Sequence, residues 1–247
     1  IESSMDVLQN PKYAYLLGKQ PFLYKIFKTL FYFYSKLVFS TYAPTSVVGR
    51  ENVPDSSFIL CSNHNSHMDV ALLAVATKKN FNDFGMLAAR DYWFESWIKR
   101  VSVNTVMNLI PVDRASNKDK ELSIKDSEDL CDAFMKYEQR NLILFPEGTR
   151  GNPGELLPFK KGAARFALNL NKPILPAVIY GSHKIWPRGK VFFGLPSRIR
   201  VFILEPIYPA SFLSGHNPTE KEIDLAISNM TKTLERKIKD KVLTLYE

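Results

Sequence analysis

Asn63 to Asp69 reads NHNSHMD and puts two histidines, a serine and a carboxylate within seven residues, directly after the apolar run Phe58 to Cys61. Three kinds of chemistry fit that grouping. His64 and Asp69 are five positions apart, so the carboxylate can fold back on the imidazole, accept the Nδ1 proton and leave Nε2 free as a base toward a hydroxyl. His64, His67 and Asp69, together with Glu147, could instead supply metal ligands, although none of the usual zinc spacings, His-Glu-x-x-His included, occurs in the chain. The plainest alternative is a helix start. Ser66 and Asp69 stand at the Ser-x-x-Asp spacing of a capping box ahead of VALLAVA, where Asp69 would satisfy backbone donors and the helix dipole.

A second polar group follows another apolar run. NLILFPEGTRG, Asn141 to Gly151, reads as a strand breaking into a turn with Pro146, Gly148 and Gly151 and carrying Glu147, Thr149 and Arg150. Backbone amides in such a turn form an anion-binding nest, and the forked donors of Arg150 grip phosphate; the alternative is a surface turn with a solvated ion pair. A third run, NLIPVDR, ends in Asp113 and Arg114. Three strand ends therefore deliver polar side chains, and strand ends are where α/β folds place reactive groups.

The elements that must hold these groups are legible as an alternation. From about residue 45, strand-like runs occur at SVVG, SFILC, FGMLAA, NLIPV, NLILF, ILPAVIY and RIRVFIL, with helical segments between several of them, one near Lys118 to Arg140 and a last one from Thr219 to Lys241. The expected fold class is α/β, a mixed central sheet flanked by helices. It is preceded by an N-terminal amphipathic two-helix segment, which divides the chain into residues 1–42 and a domain over 43–247. Asn10 and Pro11 read as cap and first helical position of PKYAYLL, and Gly18 reads as its stop. From Pro21 to Tyr42, Lys25, Lys28, Tyr32 and Lys36 form a basic stripe on an otherwise broad apolar surface. The charge-free run between these lysines, Thr29 to Ser35, is seven residues, well short of the roughly 20 a membrane span requires. The expected role is docking at a membrane interface; the alternative is packing on the domain's own core.

Composition narrows the partners. Among 247 residues, 45% are hydrophobic and 23% charged, the balance of a globular chain, while a net charge of +8 favours anionic partners: phosphate-bearing substrates, nucleic acid or an acidic membrane surface. No nucleic-acid motif is present, so nucleic acid is not an expected partner. Cys61 and Cys131 stand alone among apolar or helical residues, which fits a reducing compartment and excludes a disulfide framework. No signal peptide with a small-residue cleavage site is legible.

NHNSHMD, NLIPVDR, FPEGTR and LPAVIYGS, in this order and covering about Val47 to Ser182, resemble the four sequence blocks of the glycerolipid acyltransferase family, especially the 1-acylglycerol-3-phosphate acyltransferases. The resemblance implies that His64 is the general base and Asp69 its orienting partner. It also implies that Glu147, Gly148, Thr149 and Arg150, helped by Arg114, bind the glycerol phosphate end of the acceptor, and that Pro176 packs near the acyl donor. Two positions depart from the family pattern: Asn108 stands where the second block usually opens with glycine, and Gly151 where the third often ends in serine. The implied reaction is transfer of a fatty acyl group from acyl-CoA or acyl carrier protein to a lysophospholipid hydroxyl, without a metal or resident cofactor, at the cytoplasmic face of a membrane. The chain has no Gly-x-Ser-x-Gly elbow, consistent with direct attack and no acyl-enzyme. Alternatives are another lysolipid acceptor, an esterase or thioesterase in which His64 activates water, and a non-enzymatic binder of anionic lipid. The aromatic cluster Tyr92, Trp93, Phe94 and Trp97 and the segment HKIWPRGKVFF read as the rim of an acyl tunnel, as lipid contacts, or as ordinary core.

Overall fold

Each of the seven apolar runs forms a strand: β1 (Thr45–Val48), β2 (Ile59–Ser62), β3 (Phe84–Ala89), β4 (Asn108–Val112), β5 (Asn141–Leu144), β6 (Ile174–Tyr180) and β7 (Ile199–Ile203). Helices α1 (Ala14–Leu17), α2 (Phe22–Thr41), α3 (Asp69–Ala76), α4 (Ile124–Lys136), α5 (Gly162–Asn169), α6 (Ser182–Ile185) and α7 (Glu220–Tyr246) flank a mixed α/β sheet, as expected. The computed structural model describes residues 6–90, 103–113, 122–187, 189–190, 192–213 and 218–246. Arg114 and the aromatic cluster Tyr92, Trp93, Phe94 and Trp97 lie outside the described residues. The chain forms two compact units, residues 1–32 with 80–143, and residues 33–79 with 144–247.

In the second unit β1 pairs parallel with β7, β7 antiparallel with β6, and β6 parallel with β2. β2 and β6 show no polar alternation because both of their faces are covered, the usual condition of parallel strands. Helix α7 lays Ile227, Met230, Leu234 and Ile238, spaced by three and four, toward β6. Gly49, at φ +80°, closes β1 where any Cβ would collide with the carbonyl of Ile203.

In the first unit β3 pairs parallel with both β4 and β5. A Cβ on Gly85 would lie 2.8 Å from Ile110 Cδ1 and from the Phe134 ring, so α4 sits against this sheet at a distance only glycine permits. Helix α4 is shorter than the expected segment near 118–140: the Ser123 and Asp126 capping box starts it at Ile124, and Glu138 turns the chain out with φ 57°.

At the N-terminus, Asn10 accepts a hydrogen bond from the Lys12 amide (3.0 Å) ahead of Pro11, as expected, but the first turn is a 3₁₀ turn and α1 is only four residues long. One member of the expected basic stripe is a correction: Lys28 is 1% exposed. Its ammonium donates to Gln20 Oε1 (2.7 Å), Gln20 Nε2 donates to Asn108 Oδ1, and Asn108 Nδ2 donates to the carbonyls of Phe84 (2.8 Å) and Phe81 (3.2 Å). A chain of side-chain bonds thus draws Lys28 inward and gives Asn108, at the opening of β4, a structural task. Lys25 and Lys36 stay exposed. So do Phe22, Leu23, Phe27, Leu30, Phe33 and Leu37, each more than half exposed, which means that this side of α2 is not packed on the chain's own core. Among the described residues no helix is long and apolar enough to cross a membrane.

Burial, and secondarily the charge of Arg140, lower the Lys28 pKa from 10.5 to about 7. Between those two values the unfolded chain holds a proton that the folded chain has released, so this group makes stability rise with pH from about 7 toward 10.5. Lys28→Met should therefore gain less thermal stability than wild type when melts followed by circular dichroism are moved from neutral pH to about pH 10. Equal gains would show that Lys28 titrates as an ordinary exposed lysine.

Candidate active site

The site is built where parallel strands end side by side. β2 and β6 run in register from Ile59 against Ile174 to Ser62 against Ala177, so the segments leaving their C-terminal ends emerge on the same edge. Asn63 secures that edge by acting like one more rung. Its Nδ2 donates to the Ile179 carbonyl (3.0 Å) and its Oδ1 accepts from the Ile179 amide (2.8 Å). His64 comes next, in the loop between β2 and α3.

Asp69 opens α3 and is fully buried. Its Oδ2 lies 2.9 Å from His64 Nδ1 and also accepts from the amides of Asn65 and Ser66, both at 2.8 Å. Its Oδ1 accepts from the Ser182 hydroxyl at 2.7 Å, where Ser182 is the first residue of α6, just past the end of β6. Because a carboxylate only accepts, the short contact places the proton on Nδ1 and leaves Nε2 of His64 with its lone pair available. The expected Ser66–Asp69 capping box is not formed: α3 starts at Asp69 itself, preceded by Met68 without a side-chain cap, and the Ser66 hydroxyl accepts from the Met68 amide (3.3 Å), while Asp69 Oδ2 serves the loop amides and the imidazole alike.

The turn after β5 grips the backbone of His64 from two sides. Glu147 Oε1 accepts from the His64 amide (3.0 Å), and the Gly151 amide donates to the His64 carbonyl (2.9 Å). The Phe145 ring stacks on the imidazole, centroids 3.8 Å apart, and sets its plane. Glu147 Oε2 accepts from the Leu157 amide (3.0 Å), so both carboxylate oxygens are engaged by backbone donors. Burial raises the Glu147 pKa, and the Leu157 and His64 amides hold it partly down. The Gly151 departure has a local reason: a Cβ there would press to 2.9 Å from Glu147 Oε2. Gly148, at φ +72°, closes the turn onto the Phe145 carbonyl, and the Lys160 ammonium lies over it, 2.5 Å from where a Cβ would stand.

Thr149 is exposed in this turn. The Arg150 guanidinium lies on the His67 ring, with Nη1 2.6 Å from Nδ1. Partial burial first, then the positive charge of Arg150, lowers the His67 pKa, which keeps that imidazole neutral beside the guanidinium. A guanidinium on His67 works against a metal ion there, so the geometry favours the base reading of the cluster. The structure brings together His64, Asp69, Glu147, Gly148 and Arg150 within one unit. Ser182, Asn63 and Phe145 escaped the sequence reading as site residues, because nothing local marks them. Ser182 is 113 positions from the carboxylate it serves, and its only signal is its place at the end of LPAVIYGS.

Comparison with known proteins gives the same frame. Residues 45–180 match the family described as Acyltransferase. The chain is 30% identical over 168 residues to 1-acyl-sn-glycerol-3-phosphate acyltransferase BAT2, chloroplastic, of Brassica napus, covering 66% of this chain and 45% of that protein. It is 30% identical over 193 residues to the 1-acyl-sn-glycerol-3-phosphate acyltransferase of Saccharomyces cerevisiae, covering 72% of this chain and 56% of that one. The crystal structure of the 1-acyl-sn-glycerophosphate acyltransferase PlsC from Thermotoga maritima shares its fold, with a TM-score of 0.64 and 24% identity over 90% of this chain and 79% of that one. The chain thus spans about half the length of the Brassica and yeast relatives. With the match running from β1 to the last residue of β6, and so through both polar turns that build the site, this chain belongs to the acyltransferase family.

Proposed function

We propose that the chain is an O-acyltransferase that moves a fatty acyl group from a thioester, acyl-CoA or acyl carrier protein, to the free hydroxyl of a lysophospholipid, foremost 1-acylglycerol-3-phosphate, yielding phosphatidate. The observation that carries the reading is the 2.9 Å contact between His64 Nδ1 and a buried Asp69 that is itself held by three further donors. Nε2 takes the hydroxyl proton as the acceptor oxygen forms its bond to the thioester carbonyl. The C–S bond then breaks, and the leaving thiolate takes the proton back from the imidazolium, so the pair returns to its starting state without an acyl-enzyme.

Arg150, with Thr149 and the amides around Gly148, meets the acceptor's phosphate; Arg114 is assigned the same task from its place in NLIPVDR. Glu147, expected at the glycerol phosphate, takes a positioning task in this reading. With both oxygens on backbone amides it braces the His64 turn, and a second anion at the phosphate would be repelled by it. The exposed apolar side of α2, with Lys25 and Lys36 beside it, docks the enzyme on the cytoplasmic face of the membrane that holds its acceptor.

His64→Ala should lower acyl transfer by roughly 10² to 10⁴ while the fold persists, and Asp69→Asn should fall in the same direction. Mass spectrometry of products with and without lysophosphatidate is the measurement. Activity close to wild type in His64→Ala, or free fatty acid as the main product when acceptor is present, would overturn the mechanism.

Ser182→Ala removes a donor from Asp69 Oδ1 and loosens the carboxylate that orients the imidazole. The kcat should drop about tenfold with KM little changed, and Ser182→Thr should restore part of the loss. An unchanged kcat would reduce Ser182 to a packing residue.

Arg150→Ala should cost roughly ten- to 150-fold in kcat/KM for lysophosphatidate, the worth of a charged hydrogen bond, and far less for monoacylglycerol, with the donor saturating. Equal losses on both acceptors would mean that Arg150 supports the turn and does not read phosphate.

A further inference from the structure

The segment after α6 is unusual for an exposed loop, because it is pinned at several points and yet holds apolar side chains out in water. The Ser66 hydroxyl donates to the Trp186 carbonyl (2.7 Å), Trp186 Nε1 donates to the Lys190 carbonyl (2.8 Å), the Gly194 amide donates to the Ile185 carbonyl (2.6 Å), and the Tyr42 hydroxyl donates to the Gly194 carbonyl. Phe192 and Leu195 on this frame are each 85% exposed, and Phe193 is 45% exposed. Large apolar side chains held out in water on a fixed frame call for something to cover them.

We infer that this loop is a second lipid-contacting element, which seats Phe192 and Leu195 among the acyl chains of an anionic bilayer and sets the headgroup plane at Trp186, beside His67 and Arg150. The inference rests on the proposed lysophospholipid acceptor and names the surface by which it is reached. Charge decides in favour of a bilayer over a second protein chain. From Leu156 to Leu204 the chain has no Asp or Glu and nine Lys or Arg, and Lys184 and Lys190, within the loop region, are exposed. Basic residues around exposed aromatic and aliphatic side chains are the pattern of an element lying at an anionic interface.

Continuity points the same way. Tyr42, just after α2, touches the Phe193 ring (centroids 6.1 Å apart) and bonds Gly194, so the loop is tied to the end of that helix. In the other direction the Trp186 ring meets Phe193 edge-on at 4.6 Å and His67 at 5.0 Å, and His67 carries Arg150. Tryptophan, apolar in body with one N–H, is suited to the headgroup level, and here that level coincides with the guanidinium assigned to phosphate.

The test uses Phe192→Cys in the full chain, labelled with an environment-sensitive fluorophore; the two native cysteines, Cys61 and Cys131, are buried and do not compete. With phosphatidylcholine vesicles containing phosphatidylglycerol, the emission should shift blue and be quenched by a nitroxide on the lipid acyl chains. Both effects should weaken with pure phosphatidylcholine or high salt. Independently, Phe192→Glu combined with Leu195→Glu should lower vesicle binding and turnover of bilayer-embedded lysophosphatidate by roughly tenfold or more, and leave turnover of a short-chain, monomerically dissolved lysophosphatidate within about twofold. A label that stays in water on vesicle-bound protein, or wild type that does not bind these vesicles, overturns the inference. So does a blue shift that needs no vesicles and grows with protein concentration, which would assign the patch to a second copy of the chain. An inserted label with no acyl transfer to any lysophospholipid would instead sink the enzymatic reading and leave the lipid surface standing.

Discussion

The arrangement depends on satisfying one fully buried carboxylate with donors. Burying a carboxylate without partners is costly. Asp69 is kept as an acceptor by four donors: the His64 ring, two amides of its own loop and the Ser182 hydroxyl. Each element nearby serves that requirement. The parallel register of β2 and β6 brings the loop and the hydroxyl to one edge, Asn63 locks that edge, and the start of α3 supplies a carboxylate already facing backbone amides.

Around this pair the side chains divide into those that hold His64 and those that stand outside it. Glu147 and Phe145 fix the backbone and ring of His64. Arg150 rests on a His67 kept neutral by burial and by the guanidinium charge. Gly148 and Gly151 let these groups coexist, one by adopting a left-handed turn under Lys160, the other by leaving space for the Glu147 carboxylate.

The same division appears on the surface. Lys28, which spacing assigns to the basic stripe of α2, is drawn inside by Gln20 and Asn108, while the apolar side of the helix stays outside. A helix that buries a lysine and exposes phenylalanine and leucine reverses the usual sorting, and such a reversal is stable where the outer medium is apolar.

The sequence by itself determined the strands, the order of helices and the pairing of His64 with Asp69. Period-two and continuous apolar runs mark half-buried and buried strands wherever they occur, and a histidine and aspartate five positions apart interact through local chain geometry alone. It also determined the turn chemistry at FPEGTRG, since Pro and Gly act on their own backbone. What needed the tertiary structure were the partners that arrive from afar: Ser182 on Asp69, Ile179 on Asn63, Asn108 on Gln20 and through it on the Lys28 ammonium, and the amides of His64 and Leu157 on the Glu147 oxygens. The physical reason is that a side chain's type states what it can bond to, while strand register and burial decide which partner comes within 3 Å and whether water is still there to compete.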